Sequence, residues 1–341
     1  MARPTILLDA MGGDHAPETT VRAAALLSLE ANVDLVVVGD EPAVSSRLAE
    51  LEHNPERIAV HHASQVVAMG DNPAAALERK PDSSLAVAAR LLGEGVGEAL
   101  VTAGNTEALL LACRRHLALL PGVSRPALAA VYPTQIRRGV KHDPFSLILD
   151  VGATLDVSAD DLVTFAVMGS SYARVISRTP RPRVALLSNG AEPERGLPAI
   201  VEAHRRLTRI PGIEFIGNIE GLDIPRGTAD VVVTGGFVGN VVLKMLEGVA
   251  EAVLDLAKYA QKERVKWRAG LFMLSSGIDK IKQLTDWEQY GGAPILGFEK
   301  PVIKAHARSR ERAIVNAGKV AAKAVASRFD ENIRAHLPTG T

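Results

Sequence analysis

Cysteine is nearly absent from this 341-residue chain, which contains only Cys113. A single cysteine excludes an intramolecular disulfide and a zinc site built from several cysteines, and it is typical of a reducing compartment. No apolar run approaches the roughly 20 residues that cross a bilayer. The apolar run near the N-terminus ends after Ile6-Leu7-Leu8, which is too short for a signal peptide. We therefore expect a cytoplasmic protein.

An excess of charge of either sign is also lacking, because 39 basic residues balance 39 acidic ones. Nucleic-acid-binding proteins normally carry a basic excess, so we expect no nucleic-acid partner. Metal and nucleotide motifs are missing as well: there is no His-Glu-x-x-His, no Gly-Lys-Ser/Thr loop and no Gly-x-Gly-x-x-Gly. We therefore expect neither a metal nor a cofactor. The lack of a Gly-x-Ser-x-Gly elbow argues against a serine acyl-enzyme.

Short apolar runs alternate with longer segments of helical period along the whole chain. Thr5–Leu8 and Ala99–Thr102 are typical of strands, and Ala159–Val175 is typical of a helix. This alternation predicts an α/β fold, a largely parallel sheet with helices on both faces. The length suggests two domains, or one large interlocked domain. We assign residues 1–155 together with 296–341 to a first α/β domain, and residues 156–295 to a second.

Four strand candidates end in loops of small residues that open helices. The loops are Asp9–Asp14, Ala103–Thr106, Ser188–Glu192 and Thr234–Asn240. Glycine lets a backbone approach a ligand closely, and a helix start offers free N–H groups and a positive dipole end. Ligands of open parallel sheets bind at the carboxyl ends of strands. Tight turns need glycine in any case, but the four loops together favour a phosphate-bearing ligand.

The positions of His306 and Cys113 in the sequence also bear on the chemistry. His306 follows a strand candidate and is the histidine best placed for acid–base chemistry or phosphate contact, although a surface or capping role fits its position equally well. Cys113 lies mid-helix between Leu109 and Leu117 at helical spacing. It is therefore interpreted as a core thiol and not as a nucleophile.

Several short motifs, in a fixed order from about Ile6 to Val320, resemble those of a known family. They include Leu8–Asp14, Ala103–Thr106, Asp150–Ala153, Phe215–Asn218, Gly239-Asn240, Tyr290–Gly292 and His306. With them the chain resembles the bacterial phosphate:acyl-(acyl carrier protein) acyltransferases, the PlsX family. The resemblance implies an enzyme that moves a long-chain acyl group from acyl carrier protein to inorganic phosphate, giving acyl phosphate for phospholipid synthesis. It also implies a homodimer associated peripherally with the membrane, and a fold similar to phosphotransacetylases and isopropylmalate dehydrogenases.

The chemistry implied by this resemblance needs positioning more than a covalent nucleophile. A thioester has a good leaving group and phosphate is already anionic, so the site must hold phosphate against the carbonyl and stabilise an oxyanion. By resemblance, the catalytic residues are Asn105, Asn240, Lys244 and His306. The residues expected to bind substrate or phosphate are Asp9, Gly12, Gly13, Asp14, Gly104, Thr106, Arg195 and Gly236. Each of these residues also fits a helix cap or a turn.

The chain departs from the family pattern at several loop positions. Glu107 replaces a glycine, Arg195 replaces a lysine, Gly235 replaces an aspartate and Val238 replaces a threonine. Glu107 would place a carboxylate beside a bound anion, which like-charge repulsion disfavours. Two alternatives therefore stay open: a phosphotransacetylase-like enzyme that uses an acyl-coenzyme A, and a catalytically weakened scaffold that binds acyl carrier protein or membrane.

The segment 258–284, within the second domain, combines basic and large apolar residues and predicts a helical tip. Basic residues attract anionic headgroups, and bulky apolar residues bury shallowly at the interface. The expected membrane contacts are Trp267, Leu271, Phe272 and Leu274. The alternative is a dimer contact or an ordinary core face.

Overall fold

A computed structural model describes residues 3–138, 143–263, 266, 273, 292–334 and 337 of the chain. Within this part, eleven strands form one sheet. They are β1 (Thr5–Asp9), β2 (Asp34–Gly39), β3 (Ile58–His62), β4 (Ala99–Thr102), β5 (Ala127–Arg138), β6 (Asp143–Leu149), β7 (Arg183–Leu187), β8 (Glu214–Ile219), β9 (Val231–Val233), β10 (Ala293–Leu296) and β11 (Val302–Lys304).

The helices occupy most of the connections between these strands. They are α1 (Glu18–Glu30), α2 (Glu41–Ala49), α3 (Pro73–Arg79), α4 (Ser84–Gly93), α5 (Thr106–His116), α6 (Ala159–Val175), α7 (Pro198–Leu207), α8 (Asp223–Arg226), α9 (Gly236–Glu263), α10 (Glu311–Ala326) and α11 (Phe329–Arg334). The predicted α/β fold with a largely parallel sheet is confirmed. The division into domains at residues 155 and 296 stays a prediction.

The sheet contains two parallel groups of strands that run in opposite directions. Its strand order is β3-β2-β1-β4-β11-β10-β5-β6-β9-β7-β8. The pairs β11–β10, β10–β5 and β5–β6 are antiparallel, and the other neighbours are parallel. Three reversals separate the groups, so the loops after β1 and β4 leave one end of the sheet, and those after β6, β7 and β9 leave the other.

Alternate residues of the central strands face different helical layers, as the period of two in a strand requires. Leu7 of β1 packs in one core cluster with Leu92 of α4 and Leu109 of α5. Its neighbours Ile6 and Leu8 pack in another cluster with residues of α1 and α10. Strands buried on both faces read as continuous apolar runs, which is why the sequence identified β1 and β4 well.

Helix α6 forms the centre of the second half's core. It begins with a capping box, in which Ser158 and Asp161 each accept a hydrogen bond from the other's backbone N–H. Phe165 and Met168 are fully buried, and each contributes roughly 1.5–3 kcal/mol of hydrophobic stabilisation. Gly169 allows the close contact with the sheet, since a Cβ there would lie 2.6 Å from Val231 Cγ1.

Two predictions about membranes can be compared with the described residues. No helix in the described ranges is long and apolar enough to cross a bilayer. The predicted membrane contacts Trp267, Leu271, Phe272 and Leu274 lie outside the described residues.

Candidate active site

A cavity of about 360 Å³ lies beside the middle strands of the sheet and is bounded by α9. One wall is apolar and includes Leu128, Val151 and Leu243. The polar side chains that line the cavity are Thr106, Asn240, Lys244, Glu247, Lys304 and His306. A space that combines an apolar wall with a few convergent polar groups is the usual form of a small-molecule site.

Beneath the α5 side of the cavity, the loops after β1 and β4 interlock through Asp9. This buried carboxylate accepts a hydrogen bond from Thr102 Oγ1 at 2.7 Å and from the Met11 N–H at 3.1 Å. Thr102 Oγ1 in turn accepts from the Gly104 N–H at 2.9 Å. Burial raises the pKa of Asp9, while hydrogen bonds from Ser84 and Thr102 act in the opposite direction. Asp9 therefore fixes the loop that begins α5.

Two glycines let these loops approach each other. A Cβ on Gly12 would lie 2.5 Å from Asp9 Oδ2 and 2.7 Å from the Gly104 nitrogen, so no larger residue fits. Gly13 has a φ of +107°, which favours glycine, and the next residue, Asp14, donates its N–H to the Ala307 carbonyl at 2.8 Å. The loop after β1 is thereby fastened to the segment that follows β11.

Asn105 uses both ends of its amide within the protein. Its Oδ1 accepts the Ala108 N–H at 3.0 Å and caps α5, while its Nδ2 donates to the Met69 carbonyl at 3.1 Å. Met69 and Thr106, the neighbours that these two bonds hold, both line the cavity.

On the opposite side of the cavity, Asp150 positions the start of α9. Its carboxylate accepts hydrogen bonds from the N–H groups of Leu128, Gly152, Ala153 and Thr154, at 2.6–3.1 Å. A Cβ on Gly236 would lie 2.6 Å from Asp150 Oδ2, and one on Gly239 would lie 1.9 Å from the Asp150 carbonyl oxygen. This close approach brings Asn240, the next residue of α9, to the cavity wall.

Asn240 and Lys244 project from the first turns of α9. The amide of Asn240 forms no hydrogen bond with any residue that the structure describes. Lys244 Nζ lies 2.7 Å from Glu247 Oε2, one turn further along the helix. The cavity therefore contains one ion pair and one amide that is available to a ligand.

His306 lies just after β11 and is partly buried. Its Nδ1 is 3.2 Å from the Arg308 N–H, so this nitrogen is the acceptor and the neutral ring carries its proton on Nε2. Burial lowers the pKa of His306, and the nearby charges of Lys244 and Lys304 lower it further. The neutral form of the ring is accordingly favoured at pH 7.

Lys304 is a lining residue that sequence reasoning missed. It ends β11 between Thr102 of β4 and Ala293 of β10, and only 7% of it is exposed. Its Nζ donates to the Ala103 carbonyl at 3.1 Å and to the Ala305 carbonyl. Burial lowers the pKa of Lys304 to about 8, although the charges of Asp9 and Asp14 oppose this shift. The available signal was a lysine at the end of an otherwise apolar strand, two residues before His306.

Comparison with known proteins identifies the family. A family model described as "Fatty acid synthesis protein" matches residues 5–332. The chain is 42% identical over 315 residues to a phosphate acyltransferase of Myxococcus xanthus, covering 92% of this chain and 87% of the relative. A phosphate acyltransferase of Dictyoglomus turgidum is 39% identical over 329 residues, 96% of each chain. The chain belongs to the phosphate acyltransferase family. It is therefore an acyltransferase.

Solved structures show that this family member shares the fold of phosphotransacetylases. A phosphotransacetylase from Streptococcus pyogenes superposes with a TM-score of 0.63 and 17% identity, covering 95% of this chain and 94% of the other. The EutD phosphotransacetylase from Staphylococcus aureus gives a TM-score of 0.58 and 16% identity, over 95% and 94%. The predicted resemblance in fold is thus confirmed for the phosphotransacetylases.

The structure brings some of the predicted site residues of this acyltransferase to the cavity and not others. Thr106, Asn240, Lys244 and His306 line it. Asp9, Gly12, Gly13, Asp14, Gly104, Asn105 and Gly236 shape the surrounding loops without lining it. Glu107 is exposed on α5 and also lies outside the cavity lining. The functional roles assigned to all these residues stay predictions.

The four loops of small residues do not all reach this cavity. The loop of residues 188–192 follows β7, and no residue of it lines the cavity. The Arg195 side chain just beyond it is 64% exposed, lies 3.7 Å from Glu192 and is also absent from the lining. In the strand order β7 lies beyond β6 and β9, next to the edge strand β8, so its loop is further from the middle of the sheet. From the second parallel group, Val151 and Gly152 after β6 and several residues of α9 after β9 line the cavity.

Metal ligands are not assembled in the part of the chain that the structure describes. No group of three or more His, Cys, Asp or Glu side chains there is arranged to hold a metal ion. The polar groups of the cavity are instead ammonium, imidazole, amide and hydroxyl groups with one carboxylate. Donors and cations of this kind suit an anionic ligand.

Proposed function

We propose that this family member transfers a long-chain acyl group from acyl carrier protein to inorganic phosphate, and so supplies acyl phosphate for phospholipid synthesis. The observation that carries the proposal is the cavity itself, where Lys244 and His306 face the same space as an apolar wall. Phosphate is attracted by the polar groups, and the first carbons of an acyl chain pack against Leu128, Val151 and Leu243.

The reaction balances without a covalent enzyme intermediate. An oxygen of hydrogen phosphate attacks the thioester carbonyl carbon, the carbon–sulfur bond breaks, and the phosphate proton ends on the carrier sulfur. In this scheme His306 and Lys244, which both line the cavity, hold the phosphate, and the amide of Asn240 donates to the oxyanion. Loss of one such donor typically lowers kcat by about 10²–10³. Asn240→Leu is expected to do so, because leucine has similar volume and no donor.

Thiol release decides between this function and its alternatives. The purified protein is incubated with acyl-acyl carrier protein and phosphate, and free carrier thiol is measured with a chromogenic thiol reagent. Cys113 is buried and so contributes little background. Phosphate-dependent release supports the proposal, and release from acyl-coenzyme A alone would replace it with a phosphotransacetylase-like activity. If this protein releases no carrier thiol while another family member does so in the same assay, the result would favour the alternative of a scaffold that binds acyl carrier protein or membrane.

We also propose that α9 pairs with α9 of a second copy in a homodimer. Its exposed apolar side chains recur every three or four residues, which is the spacing of a helix–helix seam. They are Val238, Val241, Met245, Val249, Val253, Leu256 and Tyr259. A stripe of this length favours a partner of the same length, and antiparallel copies of one helix satisfy it reciprocally.

The oligomeric state tests this pairing directly. Wild type should sediment as a dimer at micromolar concentration, and Met245→Glu with Val253→Glu should yield a folded monomer. The matched control is Val96→Glu, which adds a charge at an exposed valine after α4. A monomeric wild type, or a double variant that stays dimeric, would contradict the proposed pairing of α9 with α9.

The segment 258–284 is proposed to hold the dimer at an anionic membrane surface. Support comes from its basic residues, from its apolar residues such as Trp267 and Phe272, and from its continuity with α9. Wild type should co-sediment with anionic liposomes at low salt, while a Leu271→Ser, Phe272→Ser, Leu274→Ser variant stays unbound and dimeric. If neither protein binds liposomes, or if the variant becomes monomeric, the segment has a structural role and the membrane proposal fails.

A further inference from the structure

Lys304 is a buried cation without a carboxylate in direct contact. Among the described residues, its ammonium contacts only the carbonyls of Ala103 and Ala305, which leaves one of three N–H donors unused. Asp9 and Asp14 act on it only through their more distant charge. Lysine is almost never fully buried unless it is paired, because removing a charge from water is costly. This arrangement therefore needs a reason beyond packing.

A purely structural reason is available for another lysine of the same chain segment. Lys300, just before β11, also donates to two backbone carbonyls, those of Leu92 at 2.7 Å and Gly97 at 3.3 Å. Lys300 lies outside the cavity lining, so its two hydrogen bonds serve only to hold the backbone of neighbouring segments together. Lys304 likewise donates to two backbone carbonyls, but it lines the cavity beside Lys244 and His306. The cavity position is what separates the two lysines.

We propose that Lys304 Nζ binds an oxygen of inorganic phosphate through its third N–H and thereby anchors the nucleophile. The assignment rests on the proposed function for its substrate. Bound phosphate supplies the counter-charge that the buried ammonium lacks. The two carbonyl contacts fix the ammonium in place, so little side-chain entropy is lost when the anion binds. Lys304 is thus assigned as a substrate-binding residue.

Binding of inorganic phosphate to the full chain tests the assignment. A charge-assisted hydrogen bond contributes about 1.5–3 kcal/mol, so Lys304→Met should weaken the calorimetric Kd for phosphate by about 10- to 150-fold. Lys300→Met removes an equivalent carbonyl clamp and should leave the Kd within about twofold. Lys304→Gln serves as a second variant if the methionine protein does not fold. The KM for phosphate in thiol release should follow the Kd.

The outcomes separate this inference from the proposed function. A folded Lys304 variant with unchanged Kd and KM for phosphate would overturn the assignment, even if wild type releases carrier thiol. Equal weakening by Lys300→Met would also overturn it, because loss of a backbone clamp would then explain the effect. Specific loss of phosphate binding in the Lys304 variants, with no thiol release by wild type, would uphold the anion site and reject the acyl transfer.

Discussion

Substitution of Asn105 distinguishes a positioning role from direct contact with substrate. In the structure its Oδ1 caps α5 and its Nδ2 holds the Met69 carbonyl, so neither end of the amide is spare. Asn105→Ala removes both bonds. Loss of the cap costs about 0.5–2 kcal/mol, and loss of the second hydrogen bond costs about 1 kcal/mol. The expected decrease in the free energy of unfolding is therefore about 1.5–3 kcal/mol.

Asn105→Asp separates the two contributions. Aspartate caps a helix as well as asparagine does, but it has no donor for the Met69 carbonyl. We expect it to lose about 1 kcal/mol of stability and less than about tenfold in kcat, which corresponds to 1.4 kcal/mol. Asn72→Ala is the matched control, because Asn72 caps α3 in the same way through the Ala75 N–H at 3.1 Å. It should cost about 1 kcal/mol and leave kcat unchanged.

Urea unfolding followed by circular dichroism gives the stabilities, and thiol release gives kcat. If Asn105→Asp keeps wild-type stability but loses about 100-fold or more in kcat, the positioning role is refuted. A loss of that size is typical of a donor that touches the oxyanion. The sequence-based prediction that Asn105 is catalytic would then stand.

Three further predictions concern sterics, titration and thiol reactivity. Gly239→Ala should lower the free energy of unfolding in urea by about 3 kcal/mol, because its Cβ would lie 1.9 Å from the Asp150 carbonyl oxygen. The control Gly248→Ala, on the same helix, has open space for its Cβ and should raise that free energy by about 0.5–1 kcal/mol. Equal effects of the two variants would contradict the packing of α9. Lys304, which faces Asp9, Asp14, Lys244 and His306, has its pKa lowered to about 8 by burial, so the unfolded chain binds more protons above that pH. Unfolding free energy should then rise by roughly 3 kcal/mol between about pH 8 and 10.5 relative to Lys304→Met, and parallel pH profiles of the two proteins would count against a buried ammonium. Burial raises the pKa of the Cys113 thiol to about 12, so the native protein should resist iodoacetamide and react only when unfolded, and rapid native labelling would contradict the core position.

Local patterns in the sequence determined most of the secondary structure and the outline of the loops. The strand Ala99–Thr102 and the helix Ala159–Val175 have the predicted bounds, because buried strands and long helices carry strong periodic signals. The glycines at 12 and 236 belong to close approaches, as the loop motifs suggested. These features depend on neighbours in the chain, and the sequence displays them directly.

Strand direction, by contrast, was decided only by the tertiary structure. The short strand Ala293–Leu296 contains Pro294 and has no clear period, yet it begins the reversal of the sheet. The order of the strands in the sheet also decided that the segments after β6 and β9 line the cavity, while Arg195, beyond β7, does not. Lys304 gained its environment from Ala103 and from the more distant charges of Asp9 and Asp14, residues about two hundred or more positions earlier in the chain. Burial and charge at a site are sums over such distant residues, so a one-dimensional pattern does not contain them.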